Sequence, residues 1–105
     1  MEIALEEMSQ HAAAAEQLLK QLANRNRLMV LCVLSDGELS VGELNARVPL
    51  SQSALSQHLA KLRQAGLVST RREAQTIYYR MSDPAARRII AELYLIYCGP
   101  GTNTP

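Results

Sequence analysis

The feature that most constrains this chain lies in its middle, where two capped helix signals meet across Pro49 and the hydrophobic period then changes. Ser40 can cap a short helix through about Arg47, and Glu43 three residues later completes a capping box. Pro49 disfavours helical backbone at the residue before it, which forces a break. Ser51 caps a longer helix to about Ala65, and Gly66 ends it. On that helix Leu55, Leu59 and Leu62 share one face, while Ser53, Ser56, Gln57, Ala60 and Gln64 share the other. The period then drops to two. Leu67 to Arg72 and Thr76 to Met81 are rich in β-branched and aromatic residues, and Ile77, Tyr79 and Met81 alternate with Tyr78 and Arg80. Glu73-Ala74-Gln75 joins the two runs, which gives a β-hairpin with a polar, basic tip.

Helices are expected on both sides of this unit. Leu5, Met8, Ala12, Ala15, Leu18 and Leu19 recur at helical spacing over residues 5–20. Asn24 can cap a second helix over 25–35, apolar on most sides from Leu28 to Leu34 and so central to the core, which Asp36-Gly37 stops. Ser82-Asp83-Pro84 opens a final helix with proline in its first turn. From Ile89 to Cys98 only Glu92 is charged, more apolar surface than a small core needs, which points to a subunit interface. The expected class is mainly α with a β-hairpin wing (α+β), in the order α-α-α-α-β-β-α. At 105 residues the chain is expected to be a single domain over 1–105, with a frayed tail from 99 to 105. The longest apolar run, Leu28 to Leu34, is far short of a membrane span, and no signal peptide is visible, so a cytoplasmic location without a membrane partner is expected.

Net charge is a poor guide to partners here. The total is +1, yet residues 1–46 carry seven acids and three bases, while residues 47–80 carry six bases and one acid, for local values of −4 and +5. A basic segment of that kind suits a phosphate-binding face, although an ordinary solvated surface has the same composition. Two helices joined by a tight turn and followed by a basic hairpin form the order of a winged helix–turn–helix, whose second helix enters the DNA major groove. Gln52, Ser53, Ser56 and Gln57 lie at the start of that helix, where short and amide side chains reach base edges; glutamine can bond adenine through two hydrogen bonds. In the wing, Arg71, Arg72, Gln75 and Thr76 suit the DNA backbone or minor groove. Each feature also has a plainer reading. The two arginines can pair with acids, and His58, at the edge of the leucine face, fits a half-buried, hydrogen-bonded histidine better than a base contact.

Several segments carry a resemblance. Leu22-Ala23-Asn24-Arg25-Asn26-Arg27-Leu28, the run from Leu50 to Leu59, Gly66-Leu67-Val68 and the run from Arg71 to Tyr79 resemble the second helix, recognition helix and wing of the ArsR/SmtB family of repressors. The resemblance covers about residues 12–98. It implies a homodimer that binds double-stranded DNA at an inverted-repeat operator and leaves it on sensing a signal. Where family metal sensors carry cysteines in the third helix, this chain has Ser40 and Gly42, which cannot supply a thiolate. A second family metal site uses Asp and His on the last helix; Asp83 is present, but residues 84–105 contain no histidine, and His11 and His58 stand apart. No metal ligand set and no cofactor are therefore expected.

Cys32 and Cys98 are too few for a secreted disulfide scaffold. On chemistry alone they read as inert small hydrophobes, and Cys98, near a helix C-terminus, sits where the dipole disfavours thiolate. Their placement is similar to that in the redox and reactive-sulfur sensors of the same family, and that resemblance implies a disulfide or polysulfide bridge within a subunit that alters DNA binding. A metal-responsive or constitutive regulator, and a helical adaptor that binds no DNA, are the competing readings. An enzyme is not expected: there is no Cys-x-x-Cys, and neither cysteine has a histidine near it in sequence.

Overall fold

Four short polar side chains open four of the helices in the computed structural model, which describes residues 1–99. In order, the elements are α1 (Leu5–Leu22), α2 (Arg25–Leu34), β1 (Leu39–Ser40), α3 (Val41–Arg47), α4 (Gln52–Gln64), β2 (Val68–Glu73), β3 (Thr76–Met81) and α5 (Pro84–Cys98). The Asn24 side chain accepts from the Asn26 and Arg27 amides at 3.0 and 3.1 Å. Ser40 and Glu43 form the reciprocal capping box, at 3.1 Å to the Ser40 hydroxyl and 2.8 Å to the Glu43 carboxylate. Ser51 accepts from the Ala54 amide at 3.1 Å, and Asp83 from the Ala86 amide at 3.3 Å, with Pro84 directly after it. Each cap satisfies a backbone donor that the helix leaves open and contributes about 1 kcal/mol. Between α3 and α4, the Asn45 side-chain amide donates to the Leu50 carbonyl at 2.8 Å, which fixes the turn around Pro49.

The sheet differs from the expected hairpin by one strand. β1 pairs antiparallel with β3, so the order is β1-β3-β2. Two residues are too few to show a period, and this pairing arises only because β3 offers its free edge. The β2–β3 register runs from Val68↔Met81 to Glu73↔Thr76, so Glu73 belongs to the strand and the turn is only Ala74-Gln75. Ala74 takes the left-handed backbone, with φ of 56°, which a glycine would hold without strain.

The core lies where α2, α3, α4 and the base of the wing converge: Val30, Leu31, Leu34, Leu44, Leu55, Leu59, Leu62 and Met81 are all buried. α2 is central to it, as expected: Val30, Leu31 and Leu34 are buried and Leu28 and Val33 pack against them, while Met29 and Cys32 face solvent. The terminal helices contribute less. Leu22 alone is buried on α1, and Ala86 and Ile90 on α5. Gly99 does not begin a frayed tail: its amide donates to the Leu95 carbonyl at 3.1 Å, and the residue is buried. The rest of the expected tail, 100–105, lies outside the described residues. No described helix is long and apolar enough to cross a membrane.

Candidate nucleic-acid interface

α4 divides cleanly between core and solvent. Leu55, Leu59 and Leu62 are buried, and Gln52, Ser53, Ser56, Gln57, Ala60, Arg63 and Gln64 are exposed. Burying three leucines contributes roughly 1.5–3 kcal/mol each, which fixes the rotation of the helix and therefore which side chains face outward. Ser53, Ser56 and Gln57 stand on the N-terminal half of that outer face, as their spacing requires. None of these side chains has a hydrogen-bond partner within the described residues, so their donors and acceptors are open to a ligand. Near its C-terminal half, Ser56, Ala60, Arg63 and Gln64 share a shallow seam with Tyr79 of β3, which joins the helix face to the wing. Arg63 was not among the residues singled out from the sequence. Its offsets of seven from Ser56 and three from Ala60 place it on the same stripe, and that signal was readable.

In the wing, Arg72, Gln75 and Thr76 are exposed as expected. Arg71 is exposed too, but its guanidinium is occupied. It forms an ion pair with Glu38 at 2.7 Å and another with Glu73 at 3.2 Å. Glu38 is thereby held below the usual carboxylate range, chiefly by its hydrogen bond with Arg71 and also by the charge of Arg80. Arg47, Lys61, Arg63, Arg72 and Arg80 pair with no carboxylate among the described residues, so most of the positive charge of the 47–80 segment remains available. His58 is half-buried, as expected, but it is not hydrogen-bonded through Nδ1, which is buried without a partner. Burial, with the charges of Arg27 and Lys61, holds its pKa below the ordinary value, so the ring is neutral at pH 7.

Cys32 and Cys98 are both free thiols, and both are exposed. Cys32 opens onto a cleft between α2 and α5 lined by Ser35, Ile90, Ala91, Tyr94 and Leu95. Cys98 lies one turn further along that α5 stripe. Burial pushes the Cys32 thiol up, and a charge on Cys98 would raise it further, so the two sulfurs lie within each other's field. Arg87 and Arg88 also line that cleft, while Arg27 Nε and Nη2 donate to the Gln21 and Lys20 carbonyls at 2.8 and 3.3 Å.

A capped helix–turn–helix whose second helix presents an unpartnered polar face, flanked by a basic two-stranded wing, defines a winged helix–turn–helix DNA-binding transcriptional regulator. Residues 24–70 match the family described as bacterial regulatory protein, arsR family. The chain is 55% identical over 94 residues to the transcriptional activator HlyU of Vibrio cholerae, covering 90% of this chain and 87% of that protein. It is 49% identical over 102 residues to the biofilm growth-associated repressor of Agrobacterium fabrum, covering 97% and 87%. The solved structure of reduced HlyU from Vibrio cholerae superposes with a TM-score of 0.83 at 55% identity, covering 89% of this chain and 98% of that one. The chain belongs to the ArsR family. These relatives are transcriptional regulators, not enzymes.

Proposed function

We propose that the protein is a homodimeric repressor of inverted-repeat operators whose DNA binding is switched off when Cys32 and Cys98 are bridged. One observation carries the switch: two free, exposed thiols on adjacent helices, one on the core helix α2 and the other at the end of the apolar helix α5. With Cys32 raised, it is mostly protonated at neutral pH, so the pair waits for a genuine oxidant. Disulfide formation removes two protons and two electrons, which convert one peroxide to two waters. An inorganic trisulfide instead leaves one sulfur between the cysteines and departs as two molecules of hydrogen sulfide.

On DNA, Gln57 pairs with an adenine edge, Ser53 and Ser56 contact bases or phosphates, and Gln52 lies at the helix start where a phosphate approaches. Arg72, Gln75 and Thr76 follow the flanking backbone, with Arg63 beside the seam. Repression follows the Agrobacterium relative, itself a repressor. Apolar side chains exposed on α1 and α5 support the dimer.

Gel-shift titration with peroxide, diamide and polysulfide tests the switch. Wild-type protein is expected to release DNA, and Cys32→Ser and Cys98→Ser to bind it but ignore the oxidants. Release that persists in both variants overturns the thiol switch. Release driven by zinc, copper or arsenite in those variants favours a metal-responsive regulator instead.

A further inference from the structure

Alternation along a strand sends neighbouring side chains to opposite faces, so Arg71 and Arg72 cannot do the same work. Register places Thr70 opposite Tyr79 and Arg72 opposite Ile77, on the face that continues to Tyr79 and the α4 seam. Arg71 stands opposite Tyr78 on the reverse face. There its guanidinium carbon lies 4.6 Å from the Tyr78 ring centre, and the side chain reaches across β3 to Glu38, just before β1. Arg71 Nε donates to both Glu38 oxygens at 3.1 and 3.0 Å, Nη2 donates to Oε1 at 2.7 Å, and Nη1 donates to Glu73 at 3.2 Å.

The backbone shows why such a tie matters. β1 pairs only with Tyr78 and Tyr79, so beyond them β2 and β3 form a bare two-stranded ribbon. A ribbon of that kind is marginal in water unless something packs or ties it. A two-point guanidinium–carboxylate contact is directional, and stacking on Tyr78 fixes its plane. A phosphate could take Arg71 only by leaving Glu38 unpaired beside the DNA backbone, where like charges repel.

We propose that Arg71 is a positioning residue and not a phosphate ligand. With Tyr78 it ties the wing to Glu38, and Glu38, though acidic, is required for full DNA affinity. Arg72 is then the arginine of this pair that meets the backbone.

The two roles predict opposite signs. The measurement is fluorescence anisotropy at several salt concentrations, on a labelled duplex selected by the wild-type protein from a randomised pool. The variants are Glu38→Gln, Arg71→Gln, Arg71→Lys and the Glu38→Gln/Arg71→Gln double. Removing an acid close to a DNA-binding wing should ordinarily tighten binding; here Glu38→Gln is expected to weaken it about threefold or more. Arg71→Gln is expected to lose the same amount with an unchanged salt slope, whereas a lost phosphate contact lowers the slope by about one. The double variant should be no weaker than either single one, and Arg71→Lys, which keeps the charge but not the fork, should not rescue. Thermal unfolding in parallel keeps the comparison to folded protein. Binding by Glu38→Gln at or above wild-type strength overturns the proposal, as does rescue by Arg71→Lys together with a lower salt slope for Arg71→Gln.

Discussion

The helix–turn–helix and the two terminal helices place their apolar side chains in opposite ways. In α3 and α4 the large apolar side chains are spent inside the chain: Leu44, Leu55, Leu59 and Leu62 are all at or below 1% exposure. What α4 turns outward is polar. On α1 and α5 the same kind of side chain faces water, with Leu5 at 78%, Leu19 at 55%, Ile96 at 56% and Tyr97 at 76% exposure. One region is complete within a single chain and presents chemistry to a polar ligand. The other is unfinished and has the character of half an interface. Fold and the proposed recognition face are thus built locally, while the proposed dimer would be assembled by the ends of the sequence.

Charging the exposed apolar faces of α1 and α5 has the largest expected effect. Leu19→Glu combined with Ile96→Glu is expected to leave the fold of each chain intact and to lower operator affinity about a hundredfold or more, because two linked half-site contacts become independent. Light scattering and gel shift check this; unchanged mass and affinity would mean that these faces serve something else.

A smaller effect is expected from the complete region. Gln57→Ala should cost about 1–3 kcal/mol of binding and relax selectivity at one base pair, with the salt slope unchanged. Arg72→Gln should instead weaken all sequences alike and lower the slope by about one. Anisotropy on matched and mismatched duplexes separates the two, and a sequence-specific loss for Arg72→Gln would invert the assignment.

The smallest effect concerns His58, whose folded-state pKa is depressed. Above the ordinary value near 6.5 it is neutral in both states and contributes no pH dependence. Below that value the unfolded chain binds a proton that the folded chain does not, so stability falls with pH until the depressed folded value is passed. Chemical denaturation between pH 7.5 and 5.5 should show this decline, and His58→Gln should reduce it. An identical pH dependence in the variant would assign the decline to other groups.

How much of this was legible in the sequence depended on how far apart the interacting groups lie. Asn24, Ser40, Ser51 and Asp83 bond to amides two or three residues away, and all four helix starts were readable from those residues. The leucine face of α4 fixed its outer face in turn. Strand β1 was not readable, because two residues carry no period and their partner is β3. Nor was the engagement of Arg71, since Glu38 lies 33 residues before it, although alternation alone separates Arg71 from Arg72. The apolar stripe of α1 was visible as a pattern, but a pattern does not say whether its complement is in the same chain or another. The thiols fall between these cases. Their helices were readable, whereas the outward rotation of Cys32 depends on which face of α2 the core takes.

On the proposed reading, recognition is complete in one chain while operator binding needs two. Sedimentation of the protein, free and on duplexes carrying one or two copies of a selected half-site, tests it most directly. The expected result is a free species of twice the chain mass, two chains on the inverted repeat and much weaker binding to the single half-site. A monomer that binds one half-site as tightly as the full repeat would contradict it.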